Sequence, residues 1–334
     1  MPLDISFIIP VYNRPDEIDE LLLSMTQFEG DFEFEVVIIE DGSSIKCEHI
    51  ISKFKDQLHI AYFFKPNSGP GDSRNFGMQK ASGNYFIILD SDVIMPKQYL
   101  RVVTQSLDEH YVDCFGGPDA AHQSFSNLQK AINFSMTSFM TTGGIRGNKK
   151  SVNTFQPRSF NMGLSKAAFE ASKGFGRIHP GEDPDLSIRL QKLGFKTKLI
   201  PSAYVYHKRR ISWSKFYKQV NKFGQVRPIL NKWHPETKKL TYWFPLFFVL
   251  GLLFSIVLTS IGIYFPLMLF VVYFILIFVM SMASSGNLMV AIMSIVAVLI
   301  QFTGYGLGFL KSTFKLKVSK GTEEDLFPNL FFIR

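Results

Sequence analysis

The 334 residues leave room for one large or two ordinary domains, and 46% of them are hydrophobic, but the apolar residues are so unevenly distributed that a single globular domain is excluded. Two cysteines, Cys47 and Cys114, with no Cys-x-x-Cys or Cys/His ligand spacing, exclude a disulfide framework and are expected to be reduced. The formal charge of +8 is concentrated: from His207 to Lys239 ten Lys or Arg (208, 209, 210, 215, 218, 222, 227, 232, 238, 239) stand against one acid, Glu236. Because this segment precedes an apolar block, an anionic leaflet or phosphorylated lipid is favoured over nucleic acid as its partner.

Met1 to Asn13 has no basic n-region, and Ile5–Pro10 is too brief for a signal-peptide core, so the part of the chain ahead of the apolar block is expected to stay in the cytosol. Ile5–Ile9, Val36–Ile39, Ala61–Phe64 and Tyr85–Leu89 are short β-rich runs and predicted strands. Helices are predicted between them. In Pro15–Gln27 the residues Ile18, Leu21, Leu22 and Met25 share one face of a 3.6-residue period, with Pro15 in the first turn; Ile45–Phe54 and Pro70–Ala81 supply the second and third. Repeated βα units predict an α/β fold with a parallel, doubly wound sheet, whose ligand site lies at the carboxyl ends of the strands. From Phe115 to Arg158 the sequence is rich in Gly, Ser, Thr and Asn and is expected to be irregular or flexible. A helix over Asp183–Leu193, ended by Gly194, and a strand near Lys196–Ile200 restore the regularity.

Trp213, Phe216, Tyr217, Val220 and Phe223 then recur at i, i+3, i+4, i+7 and i+10, with Lys215, Lys218 and Lys222 off the stripe. Such an aromatic, basic amphipathic helix is expected to lie in a membrane interface, the alternative being a helix docked on the preceding domain. From Phe244 to Leu310 there is no charged residue and no His. Three apolar runs, Phe244–Phe265, Pro266–Met282 and Leu288–Leu310, compare with the ~20 residues that span a hydrocarbon core. Three crossings would place Lys311, Lys315, Lys317 and Lys320 opposite a cytoplasmic N-terminal domain, against the positive-inside tendency. Either the middle run does not cross fully, or the Gly304-Tyr305-Gly306-Leu307-Gly308 segment is re-entrant or packed against protein. The expected division is an α/β domain over 1–206, a basic amphipathic interfacial segment over 207–242, transmembrane helices over 243–310 and a tail over 311–334.

Asp90-Ser91-Asp92 follows the predicted strand Tyr85–Leu89, so two carboxylates emerge where an α/β sheet holds its ligands. Hard carboxylate oxygens suit Mg²⁺ or Mn²⁺, which keeps positions open for phosphates; turn or helix-capping acids are the bland alternative. The pair does not stand alone. Pro10-Val11-Tyr12-Asn13 follows the first strand, and Glu40-Asp41-Gly42-Ser43-Ser44 follows the second. Gly69-Pro70-Gly71-Asp72-Ser73-Arg74-Asn75-Phe76-Gly77 then leads through Ala81-Ser82-Gly83-Asn84-Tyr85 to Asp90 and Asp92.

This order and spacing resembles the family 2 glycosyltransferases of the GT-A fold, from about Ile5 to the basic segment. The resemblance implies that Pro10, Tyr12 and Asp41 hold the nucleoside of a nucleotide-diphosphate sugar and that Arg74 approaches the diphosphate. It also implies that Asp90 contacts ribose or metal and that Asp92 is a ligand of Mn²⁺ or Mg²⁺. Gly181-Glu182-Asp183-Pro184-Asp185-Leu186-Ser187-Ile188-Arg189-Leu190 resembles the family's acidic motif; it points to Asp183 as general base, with Glu182 as the second candidate. His207, after Ala203-Tyr204-Val205-Tyr206, resembles the late histidine that completes the metal site, and Phe160-Asn161-Met162-Gly163 resembles the acceptor-side loop. The implied function is a membrane-bound, inverting transfer of sugar to a lipid-linked or saccharide acceptor in glycan or polysaccharide biosynthesis, at an inner or plasma membrane. A sugar-nucleotide pyrophosphorylase would open with a Gly-rich phosphate loop where Pro10-Val11-Tyr12-Asn13-Arg14-Pro15 stands. A processive synthase would carry Gln-x-x-Arg-Trp, from which Arg209-Arg210-Ile211-Ser212-Trp213 departs in spacing. A non-catalytic membrane scaffold would have lost the acidic groups, all of which are present.

Overall fold

The computed structural model describes residues 3–120, 122, 125–143, 155–208 and 212–332. The chain divides into two compact units, one of Met1–His122, Lys149–His207 and Phe331–Arg334, the other of Gln123–Asn148 and Lys208–Leu330. In chain order the elements are β1 (Ile5–Val11), α1 (Pro15–Met25), β2 (Phe34–Asp41), α2 (Glu48–Ile51), β3 (His59–Lys65), α3 (Pro70–Lys80), β4 (Tyr85–Leu89), β5 (Val93–Ile94), α4 (Tyr99–Glu109), β6 (Cys114–Gly116) and β7 (Asp119–Ala120). There follow α5 (Asn127–Thr137), α6 (Phe139–Thr142), β8 (Asn161–Ser165), α7 (Lys166–Ser172), α8 (Glu182–Lys192), β9 (Thr197–Leu199) and β10 (Val205–His207). The last helices are α9 (Trp213–Trp233), α10 (Phe244–Thr259), α11 (Phe265–Ser285), α12 (Leu288–Val318) and α13 (Glu323–Leu326).

In the first unit a mostly parallel sheet runs in the order β3-β2-β1-β4-β8-β6-β9. β1 and β4 are near-continuous apolar runs because helices cover both faces of the sheet. Phe7, Ile9, Val36 and Ile38 pack with Ile18, Leu21 and Val103 on one face. Ile8, Val37, Ile39 and Ile88 pack with Met78, Leu186 and Leu190 on the other. β8 is the antiparallel member of the sheet, pairing with both β4 and β6. The predicted helix over Ile45–Phe54 shrinks to the four residues of α2 because its start is captured by side chains. Glu40 accepts hydrogen bonds from the Cys47 N–H at 2.8 Å and the Ser43 hydroxyl, and Asn13 Oδ1 accepts from the N–H groups of Ser44 (2.8 Å) and Ile45 (3.0 Å). Cys47 and Cys114 are free and buried, and burial pushes both thiols up. A second sheet, β5-β10-β7, pairs His207 directly with Val93 and so brings β10 beside the Asp90-Ser91-Asp92 turn.

In the second unit, the stretch expected to be irregular contains α5, whose start is a capping box of Ser126 and Gln129; residues 144–154 of that stretch lie outside the described residues, as do Arg209, Arg210 and Ile211. The aromatic stripe of α9 meets protein. Phe216 and Val220 are buried with Ile132 and Met136 of α5 and Ala297 of α12, while Trp213 and Phe223 pack beside them. Apolar faces of three helices thus satisfy one another, and Lys215 and Lys218 stay exposed. Leu240–Thr259, Phe265–Ser285 and Leu288–Val318 are each long and apolar enough to cross a membrane.

Candidate active site

The site forms where the parallel strands end. Tyr12, just past β1, is 53% exposed, which leaves its ring face open to a planar partner. Pro10, within β1, is half-buried. Asp41 ends β2 and is buried; its Oδ1 accepts from Lys65 Nζ (2.8 Å) and the Ser68 N–H (2.9 Å), and its Oδ2 from the Gly69 N–H (3.0 Å). Its carboxylate therefore pins the turn that leads into α3.

Asp90, Asp92 and His207 offer ligand atoms that all lie within 4.8 Å of one another. His207 Nε2 is 3.2 Å from Asp92 Oδ1 and 3.9 Å from Asp90 Oδ2, and the His207 ring stacks on Phe160 with centroids 4.9 Å apart. Asp92 also pairs with Arg14, a residue the motif reading passed over. Burial alone would raise the Asp92 carboxyl, but His207 and Arg14 hold it well below the usual carboxylate range. Among the described residues, His207 Nδ1 is buried without a hydrogen-bond partner, and the buried Asp92 Oδ1 has the His207 ring beside it. Two carboxylates and an imidazole whose ligand atoms converge in this way, beside an imidazole nitrogen that is buried without a partner, fit a divalent cation.

Arg74 is buried and does not project into open space. Its Nη2 donates to Asp90 Oδ1 at 2.7 Å and its Nη1 to Glu182 Oε1 at 3.0 Å, so α3 ties β4's terminal turn to the start of α8. Glu182 Oε1 is also 2.9 Å from His179 Nδ1. Burial would raise the Glu182 carboxyl, but His179 and Arg74 bring it down to about 2. Its neighbour Asp183 is half-buried, with Oδ2 3.7 Å from Arg158 Nη1. The structure thus separates the two acids of the motif, which adjacency in sequence could not do. Asn161, expected in an acceptor-side loop, instead opens strand β8: it donates to the Ala203 carbonyl at 2.8 Å and accepts from the Tyr99 hydroxyl at 2.6 Å.

Residues 6–171 match the family model described as glycosyl transferase family 2. The chain carries a family 2 glycosyltransferase domain of the GT-A fold. Its sequence is 36% identical over 106 residues to an uncharacterized glycosyltransferase of Rickettsia felis, covering 32% of this chain and 17% of that protein. It is 34% identical over 113 residues to the poly(ribitol-phosphate) beta-N-acetylglucosaminyltransferase TarS of Staphylococcus aureus, covering 32% and 19%. To an uncharacterized glycosyltransferase of Haemophilus influenzae it is 40% identical over 119 residues, covering 35% and 47%. The chain spans less than half of the length of each of these relatives. Among solved structures, the glycosyltransferase fold is shared with the mannosyltransferase PcManGT of Pyrobaculum calidifontis, solved with GDP-Man and Mn2+, at a TM-score of 0.58 and 14% identity over 96% of this chain and 89% of that one. S. aureus TarS 1-349 with UDP-GlcNAc aligns at 0.50 and 22% identity over 67% of each chain.

Proposed function

We propose that this chain is a membrane-bound, inverting glycosyltransferase that moves a sugar from a nucleotide-diphosphate donor to a lipid-linked or saccharide acceptor on the cytoplasmic face of an inner or plasma membrane. The observation that carries the reading is the convergence of Asp90, Asp92 and His207 beside Arg14 at the carboxyl ends of the strands of a family 2 domain. The nucleotide-sugar complexes of the two fold neighbours support the donor class. Exposed Tyr12 and half-buried Pro10 form the wall for the nucleoside, and Asp41 shapes the turn at its far side.

Asp92, Asp90 and His207 would hold Mn²⁺ or Mg²⁺. When bound, such a cation neutralises charge that develops on a departing diphosphate. Arg14 adds a fixed positive charge at the same edge. Arg74 acts through Asp90: with both Nη groups committed, it orients that carboxylate and is a positioning residue rather than a phosphate clamp. Glu182, buried and held ionised between Arg74 and His179, serves the same network. Asp183 is left as the base: its carboxylate takes the proton of the acceptor hydroxyl as that oxygen attacks the anomeric carbon opposite the leaving group, giving inversion. The test presents the purified chain with a panel of nucleotide sugars and metals and measures released nucleoside diphosphate. No release from any donor under any metal would reject the assignment.

A further inference from the structure

The three apolar helices are not equivalent. α10 buries only Leu246, Phe248 and Ser255, and α11 only Ile277 and Ser281, whereas α12 buries eleven of its 31 residues. Much of that burial is against α9, beside which α12 runs in the same direction: Ala297 clusters with Phe216, Gly304 faces Val220, and Gly308 faces Asn221 and Gln225. The two backbones nearly touch. A Cβ on Gly308 would stand 2.2 Å from the Asn221 carbonyl oxygen, and one on Gly224 would stand 2.1 Å from that of Tyr305. Asn221 Nδ2 donates to the Gly304 carbonyl at 2.9 Å. α9 carries Lys215, Lys218, Lys222, Arg227 and Lys232, so nowhere between the first and last of them do more than four consecutive residues lack a cation. A helix charged along its length cannot thread a hydrocarbon core, and a helix held along it shares its depth.

The hairpin of α10 and α11 leads to the same conclusion. Ser294 Oγ lies 2.7 Å from Ser281 Oγ, the Phe302 ring lies 4.8 Å from Phe248 and 5.7 Å from Phe244, and Phe309 lies 4.8 Å from Trp243. All these partners sit at the end of the hairpin where α11 finishes and α10 begins. A third crossing would climb toward Thr259 and Phe265; α12 instead traverses the base.

The chain beyond α12 agrees independently. Phe331 forms an antiparallel bridge with Ile178, the Phe332 N–H donates to the Arg177 carbonyl at 3.3 Å, and the Phe332 ring lies 6.0 Å from that of His179. These partners belong to the catalytic unit. The intervening residues 319–330 contain Glu323, Glu324 and Asp325 and are folded into α13 and a 3-10 turn, too short and too charged to recross ~30 Å of hydrocarbon.

We propose that only α10 and α11 cross the bilayer and that α12 lies in the membrane surface beside α9, returning the chain to the side of the catalytic unit. The outer face of α12, with Leu288, Ile292, Val296, Leu307, Leu310 and Phe314, is exposed and apolar and fits the boundary between lipid headgroups and acyl chains. Lys311, Lys315, Lys317 and Lys320 then fall on the same side as the cations of α9, which removes the conflict with the positive-inside tendency.

The inference rests on the membrane attachment proposed above but not on the chemistry, so its test reads topology alone. Single cysteines are placed in the full chain by Ser52→Cys in the catalytic unit, Ser260→Cys between α10 and α11, Ser284→Cys at the end of α11 and Ser319→Cys after α12. All four serines are exposed, while native Cys47 and Cys114 are buried. Right-side-out and inverted membrane vesicles are treated with a membrane-impermeant maleimide. The expected result is that positions 52, 284 and 319 label from one face and position 260 from the other. Labelling of 319 together with 260 would establish three crossings, and labelling of 260 together with 52 would abolish the hairpin; either overturns the proposal. Release of nucleoside diphosphate, measured in the same vesicles, reports separately on the transferase reading.

Discussion

Asp92 joins the two halves of the first unit, since its partners Arg14 and His207 come from the beginning and the end of that unit's sheet-forming chain. Asp92→Asn is therefore expected to cut transfer by about 10²-fold or more while the chain stays folded, because the charge that would hold a cation is removed and the volume is kept. Donor turnover in parallel with circular dichroism checks this, and full wild-type turnover in excess chelator would count equally against the metal site. Asp183→Asn should lower turnover by about 10²–10⁴-fold, the ordinary share of a general base, yet leave donor affinity by calorimetry unchanged. Joint loss of affinity and turnover would move Asp183 to the donor side. Glu182 has a different signature. Its folded carboxyl lies at about 2, below the ordinary 4.5, so the stability it contributes is fully present above about pH 5 and is lost as pH falls toward 2. The melting difference between wild type and Glu182→Gln should accordingly be flat above pH 5 and narrow below it; a constant difference down to pH 2 would deny the ion pairs with Arg74 and His179.

Among the elements, strands and long helices were legible because each satisfies its own period: the strands at β1, β2, β3 and β4 contain the predicted runs, and α1, α3 and α8 fall within a residue or two of their predicted bounds. α2 and α5 were not. Side chains of Glu40 and Asn13, remote from a local pattern, shortened the first, and a polar surface disguised the second, whose few apolar residues Ile132 and Met136 matter only because α9 and α12 lie against them. The α9–α12 seam gives a sharp prediction. Ala ordinarily stabilises a helix interior over Gly by ~1 kcal/mol. Gly224→Ala should instead destabilise by about 1–3 kcal/mol, since its Cβ would meet the Tyr305 carbonyl at 2.1 Å. Gly251→Ala, whose Cβ would make only an ordinary 3.4 Å contact with Phe270, should be neutral or stabilising. Thermal melting in detergent distinguishes them, and equal shifts for the two would show that the seam is looser than described.

At the scale of the whole molecule, the proposed hairpin anchor should make the chain resist removal by salt and alkali, because exposed apolar residues such as Phe254, Val257, Leu269, Val272 and Ile275 would then meet lipid. Washing membranes with high salt and then alkaline carbonate should leave the protein in the pellet. Release by either wash would mean that these faces are covered by protein and would remove the membrane reading.

The sequence by itself determined the order of βα units, the apolar block, the basic segment and the set of residues from which a site had to be built, because periodicity, charge density and a motif's spacing are local properties. It could not decide how those residues are shared. Arg74 had the chemistry of a phosphate ligand, yet packing closed it between Asp90 and Glu182. Glu182 and Asp183 were adjacent acids until helix α8 turned one into the core and left the other half-buried. Arg14 acquired a role only when β1 was set beside β4, which brought its guanidinium to Asp92 across 78 positions of sequence. The third apolar run satisfied the composition of a membrane span, and only the structure showed its seam with a charged helix and the pairing of Phe331 with Ile178. Pairing across the fold is what distributes charge and burial, and pairing is not written in any one stretch of chain.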